Sequence, residues 1–550
     1  MTMKSSINPS QIPTNLQDLP WLKAIVSLCE QQAKQIQEQA KQIQAQAERI
    51  ATLEKTVQEL KDENARLRKL PKRPKFRPGG GNPKDRSGKP KGGGGRGPTL
   101  SKGVVPEKAK EEISIPATEV PEGSRFKGYQ TYVVQEIELT PKEVTYKLEV
   151  WQAPDGRVIR GQLPPEVQGS HFGHHLRALC HNFYALGMTE PGLFQFLVGC
   201  GIEVSEGQIH NILMGESKGY EEEGEKVLKA GLEEAPYISA DDTGARHQHK
   251  NGYCTHIGGE HFAYYRTTAS KSRANFLKIL LQGKEGYWIN EAFIWHLFQS
   301  GVEDDLLNHF EEYVGKRYRA RQGLSRLLNQ LGIGNKKLRQ CCFEAGLVGF
   351  TSETLLKPGQ VLLTDRAGQF SIFDHAGCWV HMERPLRKLK VHSPQAEEEL
   401  REVREAIWHL YGKLKEAALT QTNREEVEKL YDQLIAMKSI SPSINAVITS
   451  FAKCRDEMLK ALDHPGLPLH NNASEQDIRS MVRRRKISGG TKSDEGRAFR
   501  DGLMTLRQTC LRLDLSFWEY LMRWFKREPL DLAQIVRDRY RANAAIVAPG

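Results

Sequence analysis

Three carboxylates in this 550-residue sequence stand where chemistry could be done. Asp241 follows the apolar run of PYISADDTGARH (236–247) and Asp365 follows that of GQVLLTDRAGQFSIF (359–373). Glu475 lies in the first turn of a basic helical stretch, LHNNASEQDIRSMVRRRK (469–486). Hard divalent cations such as Mg²⁺ take oxygen ligands, with one or two carboxylates completed by water and substrate phosphate. Two such ions about 4 Å apart are a recurrent device for phosphodiester displacement, one serving the attacking oxygen and the other the leaving oxygen. Two strand-end aspartates and one helix-borne glutamate suit that use. Strand ends hold their side chains rigidly, and a helix can bring the third ligand from above.

Each acid also has a plain structural reading. DDTG is good turn chemistry, and Asp365 before RAG is the same. With Asn472 as N-cap, Glu475 falls at N3 and completes a capping pattern. Neighbours on a strand point to opposite faces, so Asp241 and Asp242 cannot serve as equal ligands to one ion. His171, His174, His175 and His181 raise a metal question too. They lack the H-E-x-x-H pattern and any cysteine partner, which favours surface or core histidines.

The elements that must position these residues are legible in outline. Residues 1–70 carry a heptad pattern, with Leu22, Cys29, Ile36, Ile43, Ile50, Val57 and Asn64 at a. Ile25, Gln32, Gln39, Gln46, Leu53, Leu60 and Leu67 fall at d. This predicts a coiled coil, hence a homo-oligomer of at least two chains. Pro, Gly and Lys/Arg dominate residues 71–105, with Asp85 as the one acid, which predicts a disordered basic linker. Residues 106–235 read as a small antiparallel sheet turning at PDG (154–156), then helices. Thr189 caps one helix and the Ser205/Gln208 capping box starts the next, in a helix-turn-helix-like arrangement suited to DNA. Alternating apolar residues return over 236–392, with a helical insertion at about 270–358. Residues 393–465 read as a second helical insertion, and 466–550 as further helices around Glu475.

The bulk composition agrees with a polyanionic partner. The net charge is +11 and the sequence pI about 9.0. Nine scattered cysteines without a C-x-x-C pair exclude a disulfide framework and a cysteine-based zinc module. No apolar N-terminal core or run of about 18 apolar residues occurs, so the expected setting is the reducing cytoplasm.

Taken together, SADDTG (239–244), GCWVHMERPLRK (377–388) and LHNNASEQDIR (469–479) resemble the insertion sequence 66 family of bacterial DDE transposases. The order of these motifs and the segments before them match the family plan over most of the chain. The resemblance implies that Asp241, Asp365 and Glu475 are the catalytic and metal-holding acids, serving two Mg²⁺ or Mn²⁺ ions. It makes Asp242, Asn472 and His381 supporting residues, with Cys378 and Trp379 structural. Arg479, Arg483, Arg484, Arg485, Lys486, Lys492 and Arg497 would grip DNA phosphates. The implied fold is α/β, a ribonuclease-H-like catalytic domain with helical insertions behind the coiled coil, linker and DNA-binding region. The implied activity is strand cleavage at element ends and transfer of the 3′-hydroxyl into target DNA in a bacterial, nucleoid-associated setting. Accessory proteins of the same element are further expected partners. A DNA-bridging protein without catalysis, or a nuclease that does not transpose, are the alternatives. The sequence departs from the family in lacking cysteine over about 106–135 and in carrying Gln476 where an arginine is usual.

Overall fold

The structure is a computed structural model that describes isolated positions between 113 and 134, then residues 137–547 except 356 and 358. The coiled coil and linker predicted for 1–105 lie outside the described residues. The chain from Gly95 onward clusters as one compact unit.

That unit opens on a short hairpin, β1 (Val150–Gln152) and β2 (Val158–Arg160), paired antiparallel. It turns at the expected Pro154-Asp155-Gly156, where Gly156 has φ +86°. Helices α1 (His174–Leu186), α2 (Glu190–Gly199), α3 (Glu206–Met214) and α4 (Ser217–Glu234) follow. Thr189 caps α2 through the Gly192 N–H, and Ser205 with Gln208 forms the capping box of α3. His171 falls before α1, so it shares no helix face with His175. His181 is a core residue, fully buried, its Nε2 3.0 Å from the Ile212 carbonyl.

The central sheet is built from β3 (Tyr237–His247), β4 (Lys250–Gly258), β5 (Ala263–Thr268), β8 (Val361–Thr364) and β9 (Asp374–Gly377). Its order is β5-β4-β3-β8-β9. The first three strands run antiparallel, and β3, β8 and β9 are parallel. Strand β3 does not stop at the acids as expected. It continues to His247, because residues 243–247 pair with β4 around a two-residue turn. Gln248 and His249 supply that turn with φ 48° and 63°, the backbone that matches strand twist in tight hairpins.

Between β5 and β8 the chain is largely helical, as expected: α5 (Arg273–Leu280), α6 (Glu291–Gln299), α7 (Asp304–Glu311), α8 (Arg321–Gln330) and α9 (Lys336–Thr354). A small hairpin, β6 (Tyr287–Trp288) with β7 (Arg317–Tyr318), interrupts them. After β9 come α10 (Trp379–Lys388), α11 (Pro394–Thr420), α12 (Arg424–Ala436), α13 (Pro442–Lys453) and α14 (Arg455–Leu459). The chain finishes with α15 (Asn472–Ser488), α16 (Asp494–Arg512), α17 (Phe517–Phe525) and α18 (Leu532–Val547).

Period-two alternation divides the sheet between two cores. Ile238, Ala240, Ile257 and Leu362 join a large cluster with α1–α9 and α16–α18. Val361, Leu363 and Ala376 join a second cluster with Trp379 and the helices from α10 to α14. The free edge of β5 is closed by α16. Asp501, Thr505 and Thr509 receive the N–H groups of Thr267, Tyr265 and Ala263, so the edge offers no open ladder to another chain. Among the described residues no helix is long and apolar enough to cross a membrane.

Candidate active site

Asp241 and Asp365 come from adjacent parallel strands in matched positions. Ser239 pairs with Leu363, and each acid lies two residues further along its own strand direction. Alternation puts Asp241 on the Ser239 face, the side of the second core, and turns Asp242 to the opposite face. There Gln369 Nε2 donates to Asp242 Oδ2 at 2.5 Å.

Asp365 is the first residue past β8 and is both a turn residue and a site candidate. Its Oδ1 accepts the Ala367 N–H at 2.9 Å, and Arg366 between them takes a left-handed φ of 68°. A branchless residue would tolerate that φ more easily, so the turn needs holding. Thr364 Oγ1 accepts the Arg366 N–H at 3.0 Å and lies 2.7 Å from His375 Nε2. The Arg366 guanidinium donates to Glu457 at 2.5 Å.

Helix α15 brings Glu475 to the same face. The N-cap is Asn471, not Asn472, which is the first helical residue. Glu475 is therefore one place beyond the expected N3. The shift has a reason in tertiary structure: Asn471 does not cap its own helix but donates through Nδ2 to the Ala240 carbonyl of β3 at 2.9 Å. Ser474 Oγ bonds Ser239 Oγ at 2.8 Å. One turn on, the buried Asp477 carboxylate meets His256 Nε2 at 2.9 Å, Gln508 Nε2 at 2.7 Å and the Arg512 guanidinium. Tyr265 Oη donates to the Asp477 carbonyl at 2.9 Å. His256 is the cross-strand partner of Asp241, so this network docks α15 beside the acids. Burial works to raise the Asp477 carboxyl, but Arg512 and His256 outweigh it and hold it below its ordinary value.

The electrostatics mark Asp241. Burial, then the Asp365 carboxylate, push its pKa up to about 7, with the Asp242 and Glu475 charges adding to them against the Asp242 N–H, which donates to Asp241 Oδ1 at 2.8 Å. Two acids far away in sequence, Asp365 and Glu475, are thus within electrostatic reach of Asp241. Burial also raises Asp242, against Lys271 and Gln369.

Glu475 is differently placed. Arg384 Nη2 donates to its Oε1 at 2.7 Å, His381 Nε2 stands 3.1 Å from the same oxygen, and Arg479 lies 3.6 Å from Oε2. His381 is held below its ordinary pKa by burial and by Arg384. The rest of the C-W-x-H segment is structural, as read from the sequence. Cys378 Sγ accepts the Asn471 N–H at 3.2 Å, Trp379 N–H donates to the Leu469 carbonyl at 3.0 Å, and the Trp379 indole donates to Met458.

Among the described residues no group of three or more His, Cys, Asp or Glu is spaced to hold a metal ion. The donor set itself fits a hard cation. It is all carboxylate oxygen, and its most buried member is driven toward protonation by its neighbours, a tension that a cation relieves.

The basic residues of α15 and the turn after it divide. Arg479, Arg483, Lys486 and Lys492 are exposed, and Arg479 lies beside Glu475. Arg485 donates to the Gly244 carbonyl, and Arg497 is half-buried, 2.8 Å from Asp494. Arg484 corrects the sequence reading. It is 3% exposed, bonds the Tyr184 and Met188 carbonyls at 2.7 and 3.1 Å, and stacks over the Tyr184 ring. It ties α15 to α1 and is not on the surface. Asn471, Ser474, Asp477, His256, Arg384 and Arg512 were missed. Arg384 left a trace, one helical turn from His381 in HMER, and Asn471, Ser474 and Asp477 lie inside LHNNASEQDIR (469–479).

Comparison with known proteins adds two findings. The sequence pattern of the Transposase IS66 family matches residues 359–498, a span that holds Asp365, the C-W-x-H segment, Arg384 and Glu475. A Sinorhizobium fredii protein, the uncharacterized protein y4jO, is 37% identical over 299 residues, covering 54% of this chain and 93% of that protein. On these similarities, the chain belongs to the insertion sequence 66 family of transposases.

Proposed function

We propose that this protein is a DDE transposase that cuts DNA at the ends of its element and joins the 3′ ends to target DNA. The reading is supported by Asp241 and Asp365 at matched positions of adjacent parallel strands and by Glu475 of α15 within electrostatic reach of Asp241. The strand order, three antiparallel and then two parallel, supports the ribonuclease-H-like reading of the catalytic part. Asp241 and Asp365, joined by Glu475, would hold two Mg²⁺ or Mn²⁺ ions, which when bound supply Lewis acidity to both the attacking and leaving oxygens. The chain's own residues orient the substrate. Exposed Arg479, Arg483, Lys486 and Lys492 take phosphates of the backbone, while Asp242 and Gln369 brace β3 against the turn after Asp365. In the first step water oxygen bonds to phosphorus and the P–O3′ bond breaks, leaving a 3′-hydroxyl and a 5′-phosphate. In the second, that 3′ oxygen bonds to a target phosphorus in line as the target P–O3′ bond breaks, joining the element end to the target 5′ phosphate and releasing a target 3′-hydroxyl. A second copy of the chain, associated through residues 1–70, would pair the two element ends.

The test uses Asp241→Ala, Asp365→Ala and Glu475→Ala separately, with end-sequence DNA and Mg²⁺ or Mn²⁺. Each variant should lose strand cleavage by at least about a thousandfold while keeping DNA binding. Cleavage surviving in one of them removes that residue from the site. Cleavage without joining of 3′ ends by the wild type would make the protein a nuclease.

A further inference from the structure

We propose that Arg384 and His381 are positioning residues that hold Glu475 away from the Asp241–Asp365 pair, so that a divalent cation must displace the Arg384 guanidinium to gain its third carboxylate. This rests on the reading of the three acids as a cation site. Arg384 and His381 are one turn apart on α10 and converge on the same oxygen, Glu475 Oε1, at 2.7 and 3.1 Å. Arg479 stands 3.6 Å from the other oxygen. The clamp cannot drift open at its base. Cys378 and Trp379, at the start of α10, bond the backbone of Asn471 and Leu469 in the approach to α15. Helix α15 is in turn pinned to the sheet through Asn471, Ser474 and Asp477. With both helix starts fixed, the parts left free to change are the Glu475 side chain and the partly exposed Arg384 guanidinium that holds it. The clamp therefore weakens cation binding in the protein alone and keeps the third ligand in a defined place until it is released. It also gives the C-W-x-H segment and the Arg384 beyond it a joint role: Cys378 and Trp379 set the helix, and His381 and Arg384 hold the acid.

Mn²⁺ binding to the full chain, measured by calorimetry, tests this without reference to activity. Arg384→Gln should tighten Mn²⁺ binding roughly three- to tenfold, the scale of one partly exposed charge-assisted bond. His381→Gln, which removes the second contact, should tighten it by a smaller factor and serves if Arg384→Gln does not fold. Glu475→Gln should weaken binding, and adding Arg384→Gln to it should change nothing further. Unchanged or weaker binding in Arg384→Gln overturns the clamp. Asp241→Asn separates the two ideas. If it loses Mn²⁺ binding while Arg384→Gln shows no tightening, the cation site stands and the clamp falls. If it binds Mn²⁺ like the wild type, the cation site falls and takes the clamp with it.

Discussion

At the scale of single residues, the site is a conflict between burial and charge that centres on Asp241. Its ordinary pKa is 3.8 and in the folded protein it is raised to about 7. A group raised on folding contributes stability that is full below the unfolded pKa and is lost as pH climbs through the folded one. The loss here runs from about pH 4 to about pH 7. Asp241→Asn cannot ionise and escapes it. In chelator, its melting temperature at pH 8 should exceed the wild type by several degrees, with a smaller gain at pH 5. Equal gains at both pH values would mean that Asp241 is not strained by its neighbours. The neighbouring Asp242 faces the other way onto Gln369 and its charge is a lesser cause than burial and Asp365, so Asp242→Asn should leave most of this pH dependence in place.

At the scale of elements, the decisive unit is α15 on the sheet. Its interface with β3 and β4 is polar and buried, with Asn471 1%, Ser474 0% and Asp477 3% exposed. Such networks stabilise only when every member is satisfied, and removal of one partner strands the others. Asp477→Ala would leave Arg512 and His256 buried together without their carboxylate. We expect a loss of about 3 kcal/mol in urea unfolding, read against a Gln508→Ala control that costs about 1 kcal/mol. If both variants cost the same, Asp477 is not the centre of the network. The Asp477 carboxylate is taken up by Arg512, His256 and Gln508, so activity that survives in Asp477→Ala at low temperature should still depend on Glu475.

At the scale of the whole molecule, the sheet parts two cores and the acids sit on the side of the second one. The helix that bears Glu475 exposes Arg479, Arg483 and Lys486, in a chain of net charge +11. Exposed and buried arginines on α15 should therefore behave differently toward DNA. Arg483→Ala should weaken binding evenly across sequences and reduce the slope of log K against log salt by about one. Arg484→Ala should lower the melting temperature and leave the salt slope alone, because its charge is tied to the Tyr184 and Met188 carbonyls. A reduced slope in Arg484→Ala would put that side chain on the DNA after all.

The local patterns were readable because their causes are local. The capping residues Thr189, Ser205 and Gln208, the PDG turn, the apolar run ending in Asp365 and the helix opening near Glu475 all depend on neighbours within a few positions. Periodicity also separated Asp241 from Asp242 by face. What the sequence could not settle depends on partners far along the chain. Strand β3 runs on past Asp241 because β4 returns to pair with it, and α15 starts at Asn472 because Asn471 reaches Ala240, 231 residues away. Arg484 reads like its neighbours in a run of four basic residues, yet α1 buries it. The convergence of three acids, and the two α10 side chains that hold one of them, exist only once the strands and helices are packed. Sequence determines which residues can carry charge or cap a helix; the tertiary structure decides which charges meet, and so which of them are available to a ligand.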